Sequence, residues 1–141
     1  MTSKIRYLLI VSVLLAMVFS LAGCSGNKLA ENYDEQTVRQ AAHAAIEKMN
    51  EGDFDAITNE MIRDDLKTVL SATVLSGAAD QILAGAGAFE SYADDAVGGT
   101  KDNKTGEDYA TAVVVVQYTN KKVTYTISFD NQMKIVGFFM K

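Results

Sequence analysis

The chain has 141 residues, with 13 lysine and arginine against 18 aspartate and glutamate side chains, a net charge of −5. Its composition, 48% hydrophobic and 22% charged, is typical of a folded protein with room for one domain. The acidic charge excludes a nucleic acid as a natural partner, because such binding requires neutralising phosphates. A single cysteine excludes an internal disulfide framework and a cysteine-cluster metal site, so we expect no metal and no cofactor.

The first 23 residues have the parts of a signal peptide. Lys4 and Arg6 supply the positive start, and residues 7–19 are apolar except for Ser12. As a helix this run would span about 20 Å, short of the roughly 30 Å hydrocarbon core of a bilayer. The length therefore favours a signal peptide over a permanent membrane helix. Its removal would leave 118 of the 141 residues, with 11 basic and 18 acidic groups and a net charge of −7.

The segment ends in Leu-Ala-Gly-Cys at residues 21–24, which resembles the bacterial lipobox. The resemblance implies cleavage before Cys24, with diacylglycerol and palmitate-type acyl chains on that cysteine. Two or three such chains anchor a protein durably. We therefore expect a lipid-anchored protein on the extracytoplasmic face of the bacterial cell membrane; an ordinary secretory signal and an uncleaved anchor are the alternatives. Residues 24–34 would be a flexible tether to a single domain of residues 35–141.

The first half of the domain predicts three helices. Thr37 and Gln40 have the spacing of a capping box, and a left-handed cap is expected at Gly52. Asp53 can cap a short second helix, and a third helix is predicted to begin at the acidic pair 64–65. Apolar residues follow at helical spacing: Val38, Ala41, Ala42, Ala45, Ile46 and Met49, then Phe54, Ile57 and Met61, then Leu66, Val69, Leu70, Thr73 and Val74.

The second half changes to a period of two, which is typical of strands. Strands are predicted at residues 89–97, 109–118, 122–129 and 134–140, with a polar loop at 98–107. Helices followed by an antiparallel meander indicate the α+β class, with three N-terminal helices packed on a four-stranded sheet.

A three-residue loop at 131–133 would set the register of the last hairpin. The predicted pairs, on the face towards the helices, are Phe129–Ile135, Ile127–Gly137 and Tyr125–Phe139. The opposite face then carries the candidate interface residues Val136, Phe138 and Met140. Because a solvated face should be polar, we expect this outer face to be covered by a second copy or an envelope protein; a modest exposed patch is the alternative.

Residues 45–54, the start of the sheet at 87–89, and the hairpin segments 128–130 and 134–138 resemble an uncharacterised bacterial family, domain of unknown function 3887. The resemblance covers roughly residues 36–141. That family is similar in turn to the nuclear transport factor 2-like fold, which implies a curved, cone-shaped sheet around helices, as in cystatin-like folds. Such proteins often have a pocket in the cone, and many dimerise through the outer sheet face. The family supplies no catalytic residues to transfer.

Few residues are suited to catalysis. His43 is the only histidine, at the edge of an apolar stripe, and cannot form a multi-histidine metal site. Enzymes with a similar cone, such as ketosteroid isomerases and polyketide cyclases, use acids in the pocket. If the first strand is regular, Asp94 or Asp95 must face inward. A strand end or a bulge at Ala93 is the alternative and would remove this requirement. If a pocket forms, its wall is predicted to consist of Phe89, Tyr109, Tyr125 and Phe139. Packing in the hydrophobic core is the alternative role for these four residues.

These observations predict a membrane-anchored lipoprotein that is not an enzyme. Its domain would bind a small apolar ligand in the cone or a protein on the outer sheet face. Two alternatives remain, an isomerase- or hydrolase-like enzyme with an acidic residue in the cone and a structural envelope assembly factor.

Overall fold

The computed structural model describes residues 27–141, so the predicted signal peptide, the lipobox and Cys24 lie outside it. Three helices precede four strands, and all neighbouring strands are antiparallel in the order β1-β2-β3-β4, which confirms the α+β class. The bounds are α1 Glu35–Glu51, α2 Phe54–Ala56, α3 Ala72–Ile82, β1 Phe89–Lys101, β2 Asp108–Tyr118, β3 Lys122–Phe129 and β4 Ile135–Met140. Within residues 27–141, no helix is long and apolar enough to cross a membrane.

Helix α1 begins two residues before the predicted capping box. Asp34 is the N-cap, and its Oδ1 accepts hydrogen bonds from the backbone N–H of Thr37 at 2.8 Å and from its hydroxyl at 2.7 Å. The predicted cap at Gly52 is confirmed, with φ of 73°. The apolar stripe is also confirmed, because its buried members are Val38, Ala42, Ala45, Ile46 and Met49.

The prediction that the third helix begins at residues 64–65 is wrong. Asp64–Leu66 forms a single 3₁₀ turn, and α3 begins only after Ser71, whose hydroxyl accepts from Val74 N at 3.3 Å. The backbone carbonyl of Leu70, just before this cap, accepts a hydrogen bond from Thr58 Oγ1 at 3.1 Å. The hydrophobic spacing predicted one continuous helix over this segment. The Ser71 cap and the hydrogen bond from Thr58 to Leu70 divide it instead.

The shift in α3 changes which side chains it buries. Val69 and Val74 were predicted to reach the core, yet they are 65% and 49% exposed. The buried residues of α3 are Leu75 and Ala79.

Strand β1 is four residues longer than predicted, because residues 98–101, expected in the loop, continue to pair with β2. The chain before α1 pairs with this end of β1 from the other side. Gly99 N donates to Asn27 O at 2.8 Å, and the buried Tyr33 donates its hydroxyl to Asp108 O at 2.7 Å. A Cβ atom at Gly99 would overlap the carbonyl oxygen of Lys28. Residues 27–33, expected within the flexible tether, thus contact the sheet.

The last hairpin begins in the predicted register and then departs from it. Phe129 pairs with Ile135 as expected, but Ser128 pairs with Gly137, so Val136 is an extra residue in β4. This is a β-bulge, and it exchanges the two faces of the remaining strand. The corrected pairs are Ile127–Phe138 and Tyr125–Met140, in place of Ile127–Gly137 and Tyr125–Phe139.

Because of the bulge, three candidate site residues lie on the opposite face of the sheet from the one predicted. Phe138 and Met140, predicted at the outer interface, turn towards the core, and Phe138 is only 8% exposed. Phe139, predicted on the inner face, is instead 71% exposed on the outer face. Val136 lies at the bulge itself, partly buried.

Replacing Gly99 with alanine tests the packing of residues 27–33. We expect Gly99→Ala to lower the free energy of unfolding by about 1–3 kcal/mol, the usual cost of overpacking, and to make this segment sensitive to proteases. Chemical unfolding and limited proteolysis measure the two effects.

Gly77 provides the control, since it is exposed in the middle of α3 and a Cβ there meets nothing within 4 Å. Gly77→Ala should raise the free energy of unfolding by about 0.5–1 kcal/mol. A Gly99→Ala protein that keeps both its stability and the protection of residues 27–33 would contradict the packing described.

Candidate functional site

The four residues predicted to line a pocket do not meet around one. Phe89 and Tyr109 lie at opposite ends of the β1–β2 pair, where their partners are Tyr118 and Thr100. Phe139 lies on the outer face of the sheet. The set therefore divides among separate parts of the domain.

The fourth predicted residue, Tyr125, fills the interior instead of lining a pocket. It is fully buried, and its hydroxyl lies 2.6 Å from that of Tyr118. Tyr118 in turn donates to Asn50 Oδ1 on α1 at 2.6 Å. Burial raises the pKa of Tyr125 well above its usual value, so the phenol stays neutral. This hydrogen-bonded chain occupies the inner face of the sheet where a cone pocket was expected.

Of the acid–base candidates of the sequence, His43, Asp94 and Asp95, the structure brings His43 and Asp95 together and leaves Asp94 exposed. A register shift between Tyr92 and Asp94 confirms a bulge at Ala93, the alternative left open by the sequence, and Asp95 faces α1. Its Oδ2 lies 3.2 Å from His43 Nε2.

Arg39 is a third member of this cluster, which the sequence reasoning missed. Its Nε donates to Asp95 Oδ1 at 2.5 Å, and its Nη2 donates to Glu35 at 2.9 Å. Hydrogen bonds to these two carboxylates raise the pKa of Arg39 above its usual value. The signal was present in the spacing, because polar residues recur every four positions along α1, at Glu35, Arg39, His43, Glu47 and Glu51.

The cluster is arranged as a link between α1 and the edge strand β1. A catalytic acid of the kind used in cone-shaped enzymes needs apolar surroundings that keep a carboxyl group neutral. Asp95 is instead 21% exposed, and each of its oxygens faces a nitrogen of Arg39 or His43. This geometry joins the helix to the sheet.

A shallow groove lies beside this link, between the second half of α1 and the start of β1. Its volume is about 230 Å³, and its lining residues are Glu47, Asn50, Glu51, Phe89 and Tyr92. Another depression of about 160 Å³ lies between residues 27–30 and the β1–β2 hairpin.

Tyr92 connects the groove with the Asp95 link. Its ring stacks on His43, with centroids 3.7 Å apart and planes 5° apart, and its hydroxyl donates to His43 O at 3.4 Å. Phe89 meets the same ring edgewise, at 5.1 Å and 65°. Burial, with a smaller contribution from the charge of Glu47, raises the pKa of Tyr92 to about 12. The tyrosine is therefore neutral and fixed between helix and strand.

Replacing Asp95 tests the link. Asp95→Asn leaves Arg39 and His43 without their shared carboxylate, and we expect the free energy of unfolding to fall by about 1 kcal/mol, since the group is partly exposed. Asp94→Asn is the matched control, because Asp94 is exposed on the other face of the same strand. Equal unfolding midpoints for the two variants in urea would show that the link adds nothing to stability.

Comparison with known proteins agrees with this architecture. An NMR structure of a protein from Ruminococcus gnavus ATCC 29149 is similar, with 26% identity and a TM-score of 0.70 over 80% of this chain and 96% of that one. None of the curated proteins compared with the chain matches it. Residues 42–138, which include the groove and the Asp95–His43 contact, match the family described as Protein of unknown function (DUF3887). The chain therefore belongs to that family.

Proposed function

We propose that this protein is a membrane-anchored extracytoplasmic lipoprotein whose domain works by binding and not by catalysis. The lipobox-like residues 21–24 support the anchor. The binding surface proposed is the outer face of the sheet, and the observation that carries it is the exposure of Phe139 on the edge strand β4.

The outer face differs from the inner face in having nothing packed on it within residues 27–141. Its middle row consists of Ala96, Val113, Thr126 and Phe139, one residue from each strand. Val113 is 38% and Phe139 is 71% exposed, and the row contains no charge. A neutral band of small and apolar side chains across a whole sheet is a surface suited to packing against another sheet.

The charges around this band favour a second copy as the occupant. Asp94 lies on the β1 side, whereas Lys122 and Lys141 lie at the same end on the β3 and β4 side. A twofold axis parallel to the strands, between β2 and β3, places β1 of each copy over β4 of the other. The acidic corner then faces the basic corner twice, as an isologous interface requires.

The size of the face predicts a weak dimer. Four strands 4.8 Å apart and eight residues of β3 at 3.3 Å each give a footprint of about 500 Å² per copy. Stable interfaces bury about 800 Å² per partner. Association in solution should therefore depend on concentration, and anchoring both copies in one membrane would favour it through a higher effective concentration.

The mass of the full chain in a nonionic detergent, measured by light scattering at increasing concentration, tests the dimer. Wild type should approach twice the monomer mass, and Phe139→Asp should remain a monomer because a charge is placed in the apolar band. Val69→Asp is the matched control, since Val69 is equally exposed but belongs to the helical half. A wild type that stays monomeric, or a Phe139→Asp protein that still dimerises, would contradict the second copy as occupant.

The anchor is tested in cells fed a fatty-acid analogue. Wild type should carry the label on a chain that lacks residues 1–23, and Cys24→Ser should be unlabelled, because a serine hydroxyl cannot form the thioether. Ser25→Ala controls for a change beside the cleavage position. An unlabelled wild type, or one that retains its first 23 residues, would refute the anchor whatever its oligomeric state.

A further inference from the structure

The groove between α1 and β1 has an aromatic floor and an acidic rim. Phe89 and Tyr92 meet at 65°, so their rings form two sides of a corner. Phe89 is 40% exposed, and its ring is therefore open to a ligand. Glu47, Asn50 and Glu51, near the C-terminal end of α1, form the facing wall.

The two carboxylates of the wall are not equivalent. Glu51 accepts a hydrogen bond from Lys48 Nζ at 3.0 Å. Glu47 forms no ion pair with any cation within residues 27–141, although its charge is close enough to Tyr92 to contribute to the raised pKa of that phenol. The groove thus presents one uncompensated carboxylate next to two aromatic rings.

We propose that this groove binds a small organic cation, a quaternary or primary alkylammonium group. Aromatic faces attract such cations through their quadrupoles, and the carboxylate supplies a counter-charge. The proposal concerns a different surface from the outer sheet face and does not depend on the membrane anchor.

The other ligand classes fit less well. An anion would be repelled by Glu47 and Glu51, and a drug-sized apolar molecule needs a pocket of about 300–1,000 Å³. The groove, at about 230 Å³, suits a compact group. The net charge of −5 of the whole chain also raises the local concentration of cations.

The groove is held in shape before any ligand arrives. The stack on His43 fixes Tyr92, and the hydrogen bond from Tyr118 fixes Asn50. The Asp95 link keeps the helix and the strand, which form the two walls, at a constant distance. Little conformational entropy is then lost on binding, which favours affinity for a small ligand.

Calorimetric titration of the full chain, in a nonionic detergent, tests the proposal with three probes. Choline should bind with a dissociation constant of about 10 mM or lower, a modest affinity per heavy atom. Its neutral isostere 3,3-dimethylbutan-1-ol should bind at least about fivefold more weakly, because it has the shape without the charge. n-Butylammonium separates the two sources of the cation: tighter binding than that of choline indicates primary amines such as lysine side chains, and weaker binding indicates quaternary amines.

Two variants locate the site. Glu47→Gln removes the charge and Phe89→Leu removes the ring, and each should weaken choline binding about threefold to fivefold. Glu60→Gln, an equal loss of charge at an exposed position outside the groove, should leave the dissociation constant unchanged.

Three results would overturn the proposal. They are the absence of saturable binding by both cations, equal affinity for choline and its neutral isostere, and unchanged affinity in both groove variants. Because the oligomeric state is measured separately with Phe139→Asp, failure of the groove proposal leaves the dimer proposal standing, and the reverse also holds.

Discussion

The buried contact between the stripe of α1 and the inner face of the sheet is the constraint on which the rest of the molecule depends. Residues of β2 and β3 that point towards the helix are almost completely inaccessible to water. Within residues 27–141, the polar side-chain groups that β2 and β3 bury there are the hydroxyls of Tyr118 and Tyr125, which form one hydrogen-bonded chain with Asn50. A buried polar group without a partner would cost about 1–3 kcal/mol, so this chain of hydrogen bonds lets two large phenols fill the interior.

Because the interior is filled, the binding proposed above would take place on the outside of the domain. With Tyr125 and Phe138 packed edgewise at 6.2 Å, the space that a cone-shaped fold can reserve for a ligand is occupied by side chains. What is left accessible is the margin where α1 meets β1 and the opposite face of the sheet. The margin combines charge with aromatic rings, whereas the sheet face is neutral and apolar at its centre, so the two surfaces favour different kinds of partner.

Much of the fold could be predicted from the sequence, and the errors have a common physical origin. The alternation of β3 and the stripe of α1 are local patterns, and both were confirmed. The start of α3 goes with a contact between Thr58 and Leu70, which lie twelve residues apart in the chain. The face on which each β4 side chain lies depended on one extra residue, Val136. Because Val136, Phe138 and Phe139 are similarly hydrophobic, their pattern does not indicate where the bulge falls.

The candidate site was only partly predictable for the same reason. Asp94 and Asp95 were singled out because one of the two must face inward in a regular strand, and His43 because it is the only histidine in the sequence. Asp95 and His43 lie far apart in the chain. Predicting their contact therefore required both the register of β1 and the start of α1. Arg39 and Glu47 follow from the four-residue spacing of polar groups along α1, a pattern that predicts neighbours on one face but not the strand they meet.

The pairing of Asn27 with Gly99 also limits how the domain can sit at a membrane surface. With Cys24 acylated as proposed, only residues 25 and 26 separate the lipid from a residue already bonded to the sheet. Two or three extended residues span about 10 Å, whereas a flexible tether of ten residues would span about 30 Å or more. The domain would then rest beside the lipid head groups, with the Gly99 end of β1 nearest the membrane.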